Sequence, residues 1–145
     1  MSIGPDLRTF LLNMPSLTAI IGDRVFQNKV PQLDERAEEP TLPYVWFARS
    51  GREHVRTLDD PVGEPPFVED FDLECCSYSV DEALDMAEII NQNMDNYAGD
   101  FGASVVQYVE IQDQDDSYFP RNTEADIGVN VSALYVRIMP LYEVN

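Results

Sequence analysis

Apolar residues recur at two periods along this chain, and the change from one to the other divides it into elements. In residues 5–13, Leu7, Phe10 and Leu11, with Met14 just beyond, keep the i, i+3, i+4, i+7 spacing of one buried helical face. Pro5 suits a first turn, and Pro15 stops the run. Ser16 is placed to cap a short second turn over residues 17–21 that ends at Gly22. Residues 24–26 read as a short strand, and the charged stretch "QLDERAEEP" from Gln32 reads as a loop.

The segment "LPYVWFARS", residues 42–50, is rich in strand formers. Leu42, Tyr44, Trp46 and Ala48 share one face, Val45 and Phe47 the other, so this strand is expected to be covered on both sides. A polar stretch with prolines follows at about 58–66. The segment "FVEDFDLECCSYS" alternates: Phe67, Phe71, Leu73 and Cys75 point one way, Asp70, Asp72 and Glu74 the other. A one-sided antiparallel strand gives this pattern. Ser79 and Glu82 make a capping box that opens a helix over residues 80–97. Its apolar stripe is Val80, Ala83, Leu84, Ala87, Ile90, Met94 and Tyr97, with Asp81, Asp85, Glu88, Gln92 and Asp95 mainly opposite and Gly99 as the stop. Strands are expected over 105–111 and 129–139, with "QDQDDSYFPRNTEADIG" as a polar loop between them. The order predicts an α+β fold: a mainly antiparallel sheet of about four to five strands with two main helices packed on one face. One domain over residues 1–145 is expected, with polar loops near 32–41, 56–66 and 112–128.

Composition narrows the function. The apolar runs are too short for a membrane helix, and the start "MSIGPDLRTF" lacks the basic end and long apolar run of a signal peptide, so an intracellular product is expected. Lys and Arg total 9 against 27 Asp and Glu, a formal charge of -18. Gripping nucleic acid needs clustered cations. This charge instead suits solubility, a surface that repels DNA, or a DNA mimic. Adjacent Cys75 and Cys76 would point to opposite faces of a strand and have the spacing of neither a zinc site nor a disulfide framework.

Few residues offer chemistry. His54, the one histidine, sits in a polar stretch without a nucleophile and reads as a surface residue. Glu110, Asp113, Asp115 and Asp116 form an acidic cluster, but the glycine and distal glutamate of a calcium loop are missing, so a solvated strand end is expected. A metal-dependent hydrolase built on this cluster lacks a histidine partner. Arg49, Arg52 and Arg56 form the one local excess of positive charge. They fit a charged arm that docks on an acidic patch of a neighbour, such as the 110–116 cluster of an identical subunit. They fit equally a solvated hairpin tip. There is no phosphate-binding glycine loop, nucleophile elbow or metal-ligand set, so a non-enzymatic chain without cofactor or metal is expected.

The order of segments resembles the tail-terminator, or tail-completion, proteins of long-tailed bacteriophages, including the siphophage head–tail joining group. Proteins of that family tend to open with an apolar helix and a short turn. A Gly-x-Arg-Val-aromatic stretch, a Pro-Gln and a Pro-Tyr-hydrophobic strand follow. Here "LRTFLLNMPSLTAIIGDRVF" runs from Leu7 to Phe26, followed by Val30-Pro31-Gln32 and Pro43-Tyr44-Val45. The later "SYSVDEALDMAEIINQNM" resembles the family's strand leading into a helix with a Glu-Ala-Leu-like start. Each motif is made of packing and turn residues, and the resemblance rests on their order over nearly the whole chain. The acidic stretch 32–41 is long for the family, and the Asp-rich loop after Ile111 is extended.

The resemblance implies a structural virion protein of the tail or neck, made in the host cytoplasm. It would form a homo-hexameric ring on the head-proximal end of the tail tube, stop tube polymerisation and join the tail to the head connector or stopper. Its partners would be itself, the tail tube protein and that connector. DNA would pass through the channel without specific binding, past a lumen made repulsive by carboxylates such as Asp113, Asp115 and Asp116. A reading from a different class is an acidic DNA mimic that inhibits a host nuclease or DNA-binding protein.

Overall fold

The computed structural model describes residues 3–28, 42–54, 66–119 and 128–141, and the backbone of 61–62 and 143–144. Its helices are α1 (Gly4–Leu12), α2 (Pro15–Ile21) and α3 (Val80–Met94). Leu7, Leu11, Met14, Leu17 and Ile21 are buried, as one continuous apolar stripe would require. Pro15 does not merely end α1. It occupies the first turn of α2, where a missing N–H costs nothing, and Met14 precedes it without any side-chain cap. Ser16 is therefore inside the helix and does not cap it. At α3 the expected cap forms: the Ser79 hydroxyl accepts the Glu82 amide at 3.3 Å. The return arm is relayed, since Ser77 donates its hydroxyl to Glu82 Oε1 at 2.7 Å and accepts the Ser79 amide at 3.1 Å.

The strands are β1 (Val25–Gln27), β2 (Tyr44–His54), β3 (Pro61–Val62), β4 (Phe67–Ser77), β5 (Gly99–Phe101), β6 (Ser104–Phe119), β7 (Val129–Pro140) and β8 (Glu143–Val144). Six form a curled sheet in the order β1-β2-β4-β7-β6-β5, and β3 pairs with β8 apart from it. β1 runs parallel to β2, and every other pair in the large sheet is antiparallel. The core lies between the helices and one sheet face. Val45 and Phe47 of β2, Phe71, Leu73 and Cys75 of β4, Leu134, Val136 and Ile138 of β7, and Val106 and Val109 of β6 meet Leu7, Leu11, Met86, Ile90 and Met94 there. Phe47 and Phe71 pack edge-on with ring centroids 5.9 Å apart.

The expected antiparallel sheet of four to five strands with two main helices is thus corrected to a mixed six-stranded half-barrel, with three helices among the described residues. β1 and β5 have three residues each, too few to show a period, and β1 enters parallel after the α2 turn. The second correction is larger. The supposed loop from Gln112 begins as strand, because β6 continues to Phe119 opposite β7. Residues 112–119 are exposed throughout, so neither face demanded apolar side chains and no alternation marked them. Within the proline-rich stretch, Pro61–Val62 pairs with Glu143–Val144. Residues 32–41 lie outside the described residues. The buried stripe of α3 is also rotated from the expected one: Met86 is buried, whereas Val80 is 52% and Leu84 36% exposed.

Asp6, in the first turn of α1, holds the far edge of the sheet. Its carboxylate accepts the Ala103 amide at 2.9 Å and the Ser104 hydroxyl at 2.6 Å, gripping the β5–β6 turn. Gly102 in that turn has φ +62°, and a Cβ there would lie 2.9 Å from the Asp6 Cα. Conformation and space both demand glycine. Gly102→Ala is expected to cost more than about 1 kcal/mol of stability in urea unfolding. A loss below that value would mean the turn is free to move away from α1.

Candidate functional site

Two clusters of charge stand out, one on each side of the sheet. The first is built by a bulge. β2 and β4 pair in register from Tyr44↔Cys76 to Arg49↔Phe71, then shift by one residue at Ser50, so that Arg52 faces Glu69. Side chains alternate along a strand, and without the extra residue Arg49 and Arg52 would point to opposite faces. With it, both reach the helix side, where Glu69 is fully buried. Glu69 Oε1 accepts the Ile3 amide at 2.7 Å, Oε2 accepts Arg49 Nη1 at 3.0 Å, and Arg52 Nη2 stands 3.7 Å from Oε1. The Arg52 guanidinium also lies over the Phe67 ring, 3.9 Å from its centroid. A buried carboxylate is tolerable only with such partners. The cluster fastens the start of α1 to β2 and β4.

The second cluster covers the opposite face, which carries none of the described helices and is called the helix-free face below. Asp70, Asp72 and Glu74 of β4 stand in rows with Arg137, Tyr135 and Ala133 of β7, and beyond these with Glu110, Asp113 and Asp115 of β6. Arg137 makes a two-pronged bond to Asp70, at 2.9 Å and 3.1 Å, and lies 3.9 Å from Glu53. That pairing raises the Arg137 pKa further above its ordinary value. Trp46 donates Nε1 to Glu74 at 2.9 Å. Desolvation, then the negative charges of Asp115, Asp72, Asp113 and Glu74, push the Tyr135 phenol up.

The residues singled out from sequence divide between these sites. Arg49 and Arg52 belong to β2 and not to a hairpin tip, and they hold Glu69 of their own chain; Arg49 keeps a side chain 48% exposed. Arg56 lies outside the described residues. Glu110, Asp113 and Asp115 share the helix-free face. Asp116 is on the other face, where it accepts the Ser132 hydroxyl at 2.7 Å, and Ser132 in turn accepts Gln114 Nε2 at 3.0 Å. The run "QDQDD" therefore does not converge. Among the described residues no group of His, Cys, Asp and Glu is placed to hold a metal ion. His54 is exposed at the end of β2. Glu69 was missed, although it carries its own signal: an acid in phase with Phe67, Phe71 and Leu73 on the apolar side of an alternating strand.

Neither cluster places a nucleophile beside a base. The two cysteines, on opposite faces of β4, are both buried. Burial, then Cys76 and Glu74, lifts the Cys75 thiol far above its ordinary range. Burial, then Glu74, pushes Cys76 up to about 12. Neither is a thiolate near neutral pH. What the arrangement offers is surface: a negative sheet face and a long projecting strand.

No known family profile and no curated protein matches the sequence. A solved structure titled "Virion of native gene transfer agent (GTA) particle" holds a chain similar to this one in structure. The likeness covers 97% of this chain and 98% of that one, with a TM-score of 0.55 and 10% sequence identity. The two chains share a fold.

Glu69→Ala would strip two arginines and an amide of their acceptor. A loss of about 2–3 kcal/mol is expected in denaturant unfolding, below the cost for a fully buried pair because Arg49 keeps partial contact with water. An unchanged midpoint would show that the cluster does not hold α1. Cys75 and Cys76 should resist a thiol reagent at pH 8 in the folded chain and react once it is unfolded, because both thiols titrate far above that pH. Rapid labelling of the native chain would contradict their burial.

Proposed function

We propose that this chain is a structural component of a phage-like virion, a tail-terminator-type subunit. It forms a ring at the head-proximal end of the tail tube, stops tube growth and joins the tail to the head connector. The observation that carries this reading is the full-length likeness to a chain of a gene transfer agent virion, at TM-score 0.55. The ordered motifs from Leu7 to Met94 support the terminator assignment within that class. In this reading the chain is not an enzyme, and its partners are its own copies, the tube protein and the connector.

The helix-free face supplies a physical reason for the charge. Asp70, Asp72, Glu74, Glu110, Asp113 and Asp115 crowd one side of the sheet. Turned toward a channel, such a face repels the phosphates of passing DNA and keeps it from sticking. Closed rings form from head-to-tail contacts between unlike surfaces, and a sheet with different edges provides them.

A second reading gains support from the same face. A DNA mimic needs carboxylates arrayed over one surface, and the sequence appeared to scatter them among loops and helix backs. The ladder gathers these six on one side. Native mass spectrometry across a concentration series separates the two readings. The ring reading expects a discrete closed oligomer, or a monomer that closes on added tail tubes. A chain that stays monomeric with and without tubes, and binds a basic DNA-binding protein in their place, would favour the mimic. In the ring reading, Asp113→Lys with Asp115→Lys should leave the fold intact and impair DNA passage, seen as lost infectivity in assembled particles. Unchanged infectivity would count against a carboxylate-lined channel.

A further inference from the structure

An open sheet edge presents a row of unpaired donors and acceptors, and folded proteins either cover such edges or use them. Much of this sheet's edge is covered. Arg8 of α1 donates Nε to the Val25 carbonyl at 3.1 Å on the outer side of β1. β5 covers β6 from Ser104 to Val106. Beyond it the Asn96 amide donates to the Val109 carbonyl at 2.8 Å, and the Ile111 amide donates to Asp95 Oδ1 at 3.0 Å. Two stretches have no strand beside them among the described residues: 112–119 of β6, and 48–54 of β2 past the end of β1.

We propose that β6 of one copy adds antiparallel onto residues 48–54 of β2 in the next copy, with Asp116 opposite Arg49. This deepens the ring reading and rests on it. Backbone phase supports the register. On β2 the Val45 amide donates to the Arg24 carbonyl at 3.1 Å and the Phe47 carbonyl accepts the Asn28 amide at 2.6 Å. Positions 45, 47 and 49 therefore aim their main-chain groups away from β4. On β6 the contacts at Val109 and Ile111 set the same phase, and the bulge at Gln112 carries it to Gln114, Asp116 and Tyr118. All of these positions point their side chains to the helix face. Setting Asp116 against Arg49 thus aligns main-chain donors with acceptors, keeps the faces continuous and joins opposite charges. The Arg49 side chain, 48% exposed, can reach a second carboxylate beside Glu69. Pairing β6 with another β6 would instead set Asp113, Asp115 and Asp116 against their like.

The ladder is short. It stops where β1 already occupies Phe47, and it frays past Gln114, where Glu53 would meet Asp113. The geometry also closes. Within one copy Arg49 is level with Phe71, Val136 and Ile111, while Asp116 is level with Ser132, four rungs further along β7. Four rungs amount to about 13 Å over four strand spacings of about 4.8 Å. The resulting tilt is about 35°, within the range of closed barrels. With the right-handed sense usual for a crossover such as β4–α3–β6, this offset puts the helices outside and the carboxylate face inside.

The test is the double variant Ala48→Cys with Ser117→Cys, which face each other in this register on the helix-free side. In one copy these positions lie on strands three spacings apart, about 14 Å, beyond the reach of a disulfide. Cys75 and Cys76 are 0% and 2% exposed and do not interfere. Oxidation over a concentration series should give a ladder beyond dimers on non-reducing gels, with the 48–117 disulfide found by peptide mapping. Either single variant should stop at a dimer. Adding Asp116→Lys should cut the yield about tenfold or more. In the unmodified chain, the Asp116 amide should become protected from hydrogen exchange on assembly, whereas the Gln114 amide already donates to Asp113 Oδ1 at 2.9 Å within one copy. A closed oligomer by mass with neither the 48–117 bond nor that protection overturns the strand pairing and leaves the ring reading standing. A chain monomeric at every concentration and with tail tubes, again without the bond, overturns both.

Discussion

A carboxylate stripped of water is costly unless donors surround it, and the corner where α1, β2 and β4 meet is arranged around one. Glu69 draws three donors from two other segments: the Ile3 amide at the start of α1, and from β2 Arg49 before the bulge and Arg52 after it. Neither of these segments can settle alone, because each would leave the acid short of a partner. The extra residue at Ser50 is the price of bringing the second arginine into phase. At the same end of α1, in its first turn, Asp6 grips the β5–β6 turn. Two carboxylates thus tie the start of one short helix to the middle of the sheet and to its β5–β6 edge.

The other face obeys a different rule. Its acids are only partly covered, so water still solvates them and no donor is required for each. Arg137, anchored on Asp70, relieves the middle of the array, and the remaining repulsion is borne as a tax on stability. A monomer gains nothing from concentrating like charges in this way. In the ring proposed above, such a face has a use beside a passing polyanion.

How far the sequence could be read follows from where each residue meets the core. α1 and β4 were legible because one side of each is packed, which forces a period on the residues. The α3 cap was legible because Ser79 and Glu82 bond across one turn. The outer half of β6 was not: with water on both faces, Gln112 to Phe119 are free to be polar, and a polar strand looks like a loop. Val80 and Leu84 misled for the opposite reason, being apolar yet exposed at the open end of α3. Arg49 and Arg52 were marked together with Arg56 as a local excess of charge; the acid that these two hold is distant in sequence, and the bulge that aims them leaves no trace in the local pattern. The acidic run from Glu110 to Asp116 was marked as one cluster, and strand alternation splits it across two faces.

Cys75 and Cys76 sit side by side in sequence, yet the pleat of β4 seals each into a different environment. In the folded chain neither thiol is placed to meet a thiol of a neighbouring copy, so a misplaced contact between copies is not locked by a disulfide and stays free to dissociate.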